Sequence, residues 1–204
     1  MSNLQEVINE LVRSSIARKL YEGSPVDRAA CFHEAGHALG VFACRASALR
    51  SVSVDYLGGG ETDNHAPRPA GTPAEPREAV LERLRRDHPV ELAAAIRRQC
   101  VAIFAGREAD MRGEYRLPPS CSQSDRDEAA YLAEATVGLD EVDRFLAPLR
   151  VAAASLVTDG WPVICELASL LSDQRRLPGA FLEAWLSERV AARSLRDRYG
   201  EAAA

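Results

Sequence analysis

Residues 31 to 37, which read Cys-Phe-His-Glu-Ala-Gly-His, decide the fold and the chemistry expected of this chain. The two histidines, His33 and His37, are four residues apart, so in a helix both side chains project from one face. At that spacing two imidazoles can bind one zinc ion through nitrogens at about 2.0–2.1 Å. Glu34 can then accept a proton from a metal-bound water. The segment therefore predicts part of a hydrolytic zinc site; the alternative is a helix whose histidines are only solvated or hydrogen-bonded.

The helix that carries this segment has a recognisable beginning. Ser24 can cap it, and Pro25 suits the first helical position. The helical pattern then continues to about Ala43. Gly36 and Gly40 each weaken a helix by about 1 kcal/mol relative to alanine, and both lie near the histidine face. We expect another backbone, or a substrate, to pass close to the helix there; the alternative is a helix crossing without functional meaning.

A short β-structure is expected directly after this helix. Residues 51–55 alternate apolar and polar side chains, and 61–65 form the predicted return strand after a glycine-rich turn. A substrate strand is expected to pair with the edge near 52–54. The proline-rich segment 66–77 predicts an irregular loop, either a flap over a substrate or a simple connector.

The rest of the chain is predicted to be helical. Helices are expected over 78–87, 89–105, 124–137, 140–147, 148–158, 162–173 and 178–195, with Pro148, Pro162 and Pro178 as separators, and an amphipathic first helix is expected within 1–22. The fold class is therefore mainly α, with a small β-hairpin or sheet after the His-Glu-x-x-His helix. We expect a single domain over 1–204, with a catalytic part at 24–138 and a C-terminal helical lobe at 139–204.

Composition limits the classes of partner. The net charge of −5 provides no electrostatic case for binding nucleic acid. No stretch reaches the 18 or more apolar residues of a membrane span. Five cysteines without close spacing are typical of reduced thiols, so a cytoplasmic location is expected.

Two histidines leave a zinc site incomplete, because catalytic zinc has three protein ligands and one open position. The metzincin pattern places a third histidine six residues after the second, and Ala43 stands there instead. The remaining candidates are His65, His88, Cys121, Asp125 and other carboxylates. A carboxylate on a packed helix is better placed to stay fixed, but these residues alone leave the third ligand open.

Two downstream segments add a resemblance to a known family. Residues 105–110 read Ala-Gly-Arg-Glu-Ala-Asp, and 124–130 read Ser-Asp-Arg-Asp-Glu-Ala-Ala. Together with His-Glu-Ala-Gly-His, they resemble the peptidase domain of FtsH-type AAA proteases, the second being similar to that family's Ser-Asn-Asp helix. The resemblance covers roughly 24–190. Arg107 and Asp110 are expected to hold their helix end near the site through ion pairs.

The resemblance implies a helical zinc-peptidase domain. The family's third ligand opens the later helix, and Asp125 matches that position. The implied set is therefore His33, His37 and Asp125 as ligands of Zn²⁺, with Glu34 as the catalytic base. The implied function is a zinc metalloendopeptidase that hydrolyses unfolded or flexible polypeptides through a zinc-bound water.

The chain also departs from the family's pattern. Residues 1–204 contain no Gly-x-x-x-x-Gly-Lys-Ser/Thr phosphate loop, and we expect no membrane helix before the domain. We expect a stand-alone, ATP-independent peptidase module, and leave open a homo-oligomer or a separate partner protein. The rival hypothesis is a non-catalytic or regulatory helical module that retains the fold. The sequence identifies no oxyanion stabiliser.

Overall fold

The structure, a computed structural model, describes residues 23–55, 59–63, 76–114, 116–118, 122–189, 195, 198 and 199. Its elements are, in chain order, α1 (Pro25–Cys44), β1 (Ser51–Val54), β2 (Gly60–Asp63), α2 (Arg77–Asp87), α3 (Pro89–Arg112), α4 (Gln123–Val137), a 3₁₀ turn (Leu139–Glu141), α5 (Val142–Asp159), α6 (Trp161–Gln174), β3 (Arg176–Pro178) and α7 (Gly179–Arg189). The mainly helical class with a small sheet after the motif helix is confirmed. The predicted helix within 1–22 and most of the predicted loop lie outside the described residues.

Helix α1 packs directly against α3, and two glycines make that contact close. A β-carbon on Gly36 would collide with the Ala105 carbonyl oxygen, and one on Gly40 would lie 2.6 Å from the Ala102 Cα. No side chain larger than hydrogen fits between these backbones. The expectation that another backbone passes close to the glycines is confirmed. The crossing brings the histidine face of α1 against α3.

The beginning of α1 is held by a local cap and by a buried ion pair. The Asp27 amide donates to Ser24 Oγ at 3.2 Å, as the sequence predicts for a capping serine. The Asp27 carboxylate is fully buried and accepts from Arg175, which follows α6, with Nη2 to Oδ2 at 3.0 Å. Separating the two residues would leave the Asp27 carboxylate buried without a partner, which is costly. The pair therefore holds the beginning of the motif helix against the C-terminal half of the chain.

Strand β1 is the central strand of the sheet and not an edge. The strand order is β2-β1-β3, and all pairs are antiparallel. Val52 pairs with Thr62 on one side and with Leu177 on the other, so both edges of β1 are occupied. The expectation that a substrate pairs near 52–54 is therefore wrong. Among the described strands, β2 and β3 form the edges, and β3 was not predicted because three residues are too few to show alternation.

Two predicted helices are in fact one. Helix α5 runs through Pro148 without a break. Pro148 cannot donate to the carbonyl of Arg144, but both residues lie on the exposed side, where water can bind that carbonyl. Buried Phe145 and Leu149 continue one apolar stripe across the proline. Packing of that stripe outweighs the lost hydrogen bond.

Helix α3 is longer than predicted. It was expected to end at Ala105, before Gly106, but it continues to Arg112. A β-carbon on Gly106 would collide with the His37 ring, so the glycine makes room for an imidazole and does not end the helix. The extension places Arg107 and Asp110 on an ordered helix.

Helices α5 and α6 are the most apolar pair of the C-terminal half. Within the described part of the chain, no single helix is both long and apolar enough to cross a membrane. Among the described helices, one bent pair, Leu139–Asp159 with Trp161–Gln174, reaches that length and composition when taken together, across a bend of 78°.

Candidate metal centre

Three predicted ligand side chains converge on one point. Helix α1 presents His33 and His37, and the first turn of α4 presents Asp125. The His33 Nε2 atom is 3.0 Å from His37 Nε2 and 3.0 Å from Asp125 Oδ2, and His37 Nε2 is 3.5 Å from the same oxygen. Ligands at about 2.0–2.1 Å from a tetrahedral zinc ion are separated by about 3.3 Å. These three residues could therefore hold a metal ion.

The Asp125 carboxylate supplies a second indication of a cation. Its Oδ2 atom is buried and lies 3.0 Å from His33 Nε2, but it has no donor when both imidazoles are neutral and carry their proton on Nδ1. In that state a buried acceptor without a hydrogen bond costs about 1–3 kcal/mol. A cation between this oxygen and the two imidazole nitrogens, either a proton on His33 Nε2 or a metal ion, would remove that cost. Two nitrogen donors and one oxygen donor also match the ligands that zinc accepts.

The other nitrogen of each imidazole is held by helix α3. His37 Nδ1 lies 3.0 Å from the Ala102 carbonyl oxygen. A carbonyl only accepts, so Nδ1 carries the proton and the neutral ring turns an unprotonated Nε2 towards the cluster. His33 Nδ1 lies 3.3 Å from Asp110 Oδ2 in the same way. In its neutral form, each ring is therefore held in the tautomer that can bind a metal.

Asp110 connects the candidate metal-binding cluster to the guanidinium of Arg107. The carboxylate is fully buried and accepts from Arg107 Nη1 at 2.9 Å, through the predicted ion pair. The same guanidinium nitrogen donates to the Leu117 carbonyl oxygen at 3.3 Å. The ion-pair prediction is confirmed, but the contact of Asp110 with His33 was not predicted. The two residues are 77 positions apart, and no local pattern relates them.

The two carboxylates beside His33 favour a positive charge at the cluster, whether a proton on the imidazole or a metal ion. Burial of the His33 ring disfavours its protonated form, but the carboxylates of Asp110 and Asp125 outweigh burial and raise the pKa of His33 to about 10. Burial also opposes ionisation of Asp125, yet the two imidazoles outweigh it and hold the pKa of that carboxyl below its ordinary value. A ligating imidazole must be neutral, so a metal ion binding here displaces a proton.

The variant Asp110→Asn is expected to lower zinc affinity about 10–100-fold, because the amide supplies no negative charge to orient and polarise His33. Competition with a chelator measures that affinity. Glu108→Gln, the same acid-to-amide change on α3, is the control and should keep the wild-type value. Wild-type affinity in Asp110→Asn would show that the carboxylate does not support the site.

The proposed base, Glu34, lies beside the cluster. It is only 5% exposed, and its Oε2 atom accepts a hydrogen bond from Thr62 Oγ1 at 2.7 Å. Glu34 and the three ligand side chains line one cavity of about 570 Å³. Strand β2 forms one wall of the cavity, and α3 supplies apolar surface including Ile103. Thr62 carried no signal in the sequence beyond its position in the return strand.

The other candidate ligands are not part of the cluster that the structure describes. His88 is exposed between α2 and α3. His65 and Cys121 lie outside the described residues, so their candidacy stays open.

Comparison of the sequence with protein-family models and with curated proteins gives no match. The FtsH-type resemblance therefore stays a prediction, and the geometry of the chain itself has to support any function.

Proposed function

We propose that this chain is a zinc-dependent endopeptidase that hydrolyses unfolded or flexible polypeptides, as the resemblance to FtsH-type peptidase domains implies. One observation carries the proposal. The ligand atoms of His33, His37 and Asp125 meet in a cavity that also contains the buried carboxylate of Glu34. A metal site with an adjacent base is one arrangement that can hydrolyse an amide, since the metal activates water and the base accepts its proton.

In this proposal, three residues bind the metal and a fourth transfers the proton. His33, His37 and Asp125 would hold the metal ion, and their single negative charge would leave a divalent ion and its three ligands with a net positive charge. When bound, zinc supplies a Lewis acid that acidifies water and polarises a carbonyl. Glu34 accepts the proton of the attacking water and later delivers it to the leaving amine.

Strand β2 is the part of the sheet best placed to bind a substrate main chain. Asp55 N donates to the Gly59 carbonyl oxygen at 2.8 Å, so Gly59 turns its main chain towards β1. In an antiparallel pair, the main-chain N–H and C=O groups of alternate residues point away from the partner strand. In β2 those residues are Gly60 and Thr62, whose main-chain groups point away from β1. An extended peptide can pair with that edge through main-chain hydrogen bonds, with little demand on its side chains. Pairing needs an extended chain, which is why unfolded polypeptides are the proposed substrates.

Metal removal and restoration test this function. A chelator-treated protein should not cleave a reduced, carboxymethylated polypeptide, and one equivalent of zinc per chain should restore cleavage. The same polypeptide in its folded, disulfide-bonded form is the control and should be cut far more slowly. If the zinc-loaded chain leaves the unfolded substrate intact, the peptidase proposal is wrong and the non-catalytic helical module becomes the better hypothesis.

A further inference from the structure

We propose that Thr62 is the positioning residue for Glu34, so that strand β2 determines the position of the Glu34 carboxylate in the cavity. The catalytic meaning of this inference rests on the proposed peptidase function. The placement itself does not, because it concerns a contact between β2 and α1. Thr62 Oγ1 donates to Glu34 Oε2 at 2.7 Å, a short distance of the kind typical of hydroxyl–carboxylate hydrogen bonds.

The neighbouring residue on the same face of β2 supports this role. Gly60 and Thr62 are two positions apart, so in a strand they point to the same side. A β-carbon on Gly60 would lie 2.5 Å from Glu34 Cγ and 2.7 Å from Oε1. The glycine therefore leaves the space that the Glu34 side chain fills, while the threonine supplies the donor. One face of β2 is shaped around this carboxylate.

The position of the hydroxyl is set by the sheet. Thr62 pairs with Val52 on β1, and β1 is itself paired on its other side with β3. A β-branched side chain also has restricted χ1 freedom. The donor is therefore held in place by the sheet as well as by its contacts with the helix that carries Glu34. Its hydrogen bond occupies one carboxylate oxygen and leaves the other to take a proton.

This arrangement predicts a loss in the chemical step and not in substrate binding. Thr62→Val keeps the branched shape and the strand preference but removes the donor. We expect kcat on an unfolded substrate to fall about 10–100-fold, because a misplaced catalytic group costs rate on that scale. KM and zinc content should stay close to wild type. Thr62→Ser retains the hydroxyl and should recover most of kcat.

Two further variants make the test specific. Ser53→Ala removes a hydroxyl from the adjacent strand, on the face opposite to Thr62, and should keep the wild-type kcat. Gly60→Ala should displace the Glu34 side chain, because the added methyl group would collide with it, and should lower kcat with zinc retained. If Thr62→Val folds poorly, this variant still tests whether β2 places Glu34. A wild-type kcat in Thr62→Val, or an equal loss in Thr62→Ser, would overturn the inference.

Crystal structures of zinc-loaded wild type and Thr62→Val provide a measurement independent of activity. The Glu34 carboxylate should lie against Thr62 in the wild type and leave that position in the variant. If the zinc-loaded wild type does not cleave polypeptides, the proposed function fails, and this comparison alone decides the positioning role. An unmoved carboxylate in Thr62→Val would then refute it.

Discussion

Glu34→Gln is expected to abolish peptide cleavage while zinc stays bound. The amide has nearly the same shape as the carboxylate and can still accept from Thr62, so the local packing should survive. It cannot accept a proton from water. General base catalysis contributes about 10²–10⁴-fold, and we expect kcat to fall by at least that factor. Steady-state kinetics on an unfolded polypeptide, together with elemental analysis of the same sample, provides the measurement.

The control for this variant is Glu108→Gln, which makes the same change outside the cavity on α3 and should cleave at the wild-type rate. Zinc content matters as much as rate, because His33 and His37 flank Glu34 on α1. A variant that lost zinc would say nothing about the base. Cleavage at an undiminished rate by zinc-loaded Glu34→Gln would remove Glu34 from the mechanism.

Asp125→Ala is expected to lower zinc affinity by more than about 100-fold. It removes one of the three ligand side chains, and even partners that only orient a ligand contribute 10–100-fold. Zinc that binds the folded state also stabilises it, so the rise in melting temperature on adding zinc should largely disappear. Chelator competition and thermal unfolding with and without zinc measure the two effects.

Asp127→Ala is the matched control. Asp127 is an exposed acid two residues further along α4, so its removal changes the charge of the helix by the same amount. It should bind zinc like the wild type. Tight, stoichiometric zinc in Asp125→Ala would show that another residue completes the site, and His65 and Cys121 would then be the first to test.

Much of the secondary structure followed from local signals. The cap at Ser24, the proline at position 25 and the helical run after them correctly predicted α1. Alternation predicted a strand at 51–55, which the structure has at Ser51–Val54, and the glycine-rich turn predicted a return at 61–65, where the described strand is Gly60–Asp63. Two errors occurred where packing against other elements overrides a local signal. Pro148 did not end α5, and Gly106 did not end α3.

The sequence by itself determined the features that depend on residues close together along the chain, such as which side chains share one face of a helix. The helical repeat puts His33 and His37 on one face with Glu34 beside them, whatever the rest of the fold does. The place of Asp125 came only from a family resemblance, not from any spacing.

The tertiary structure alone decided which distant groups meet those side chains. It brought Asp125 to the paired imidazoles, Asp110 behind His33, and Thr62 against Glu34. The physical reason is that these contacts depend on how closely α3, α4 and β2 approach α1. That approach is set by packing at glycines such as Gly36, whose missing side chain becomes informative only when the opposing backbone is in place.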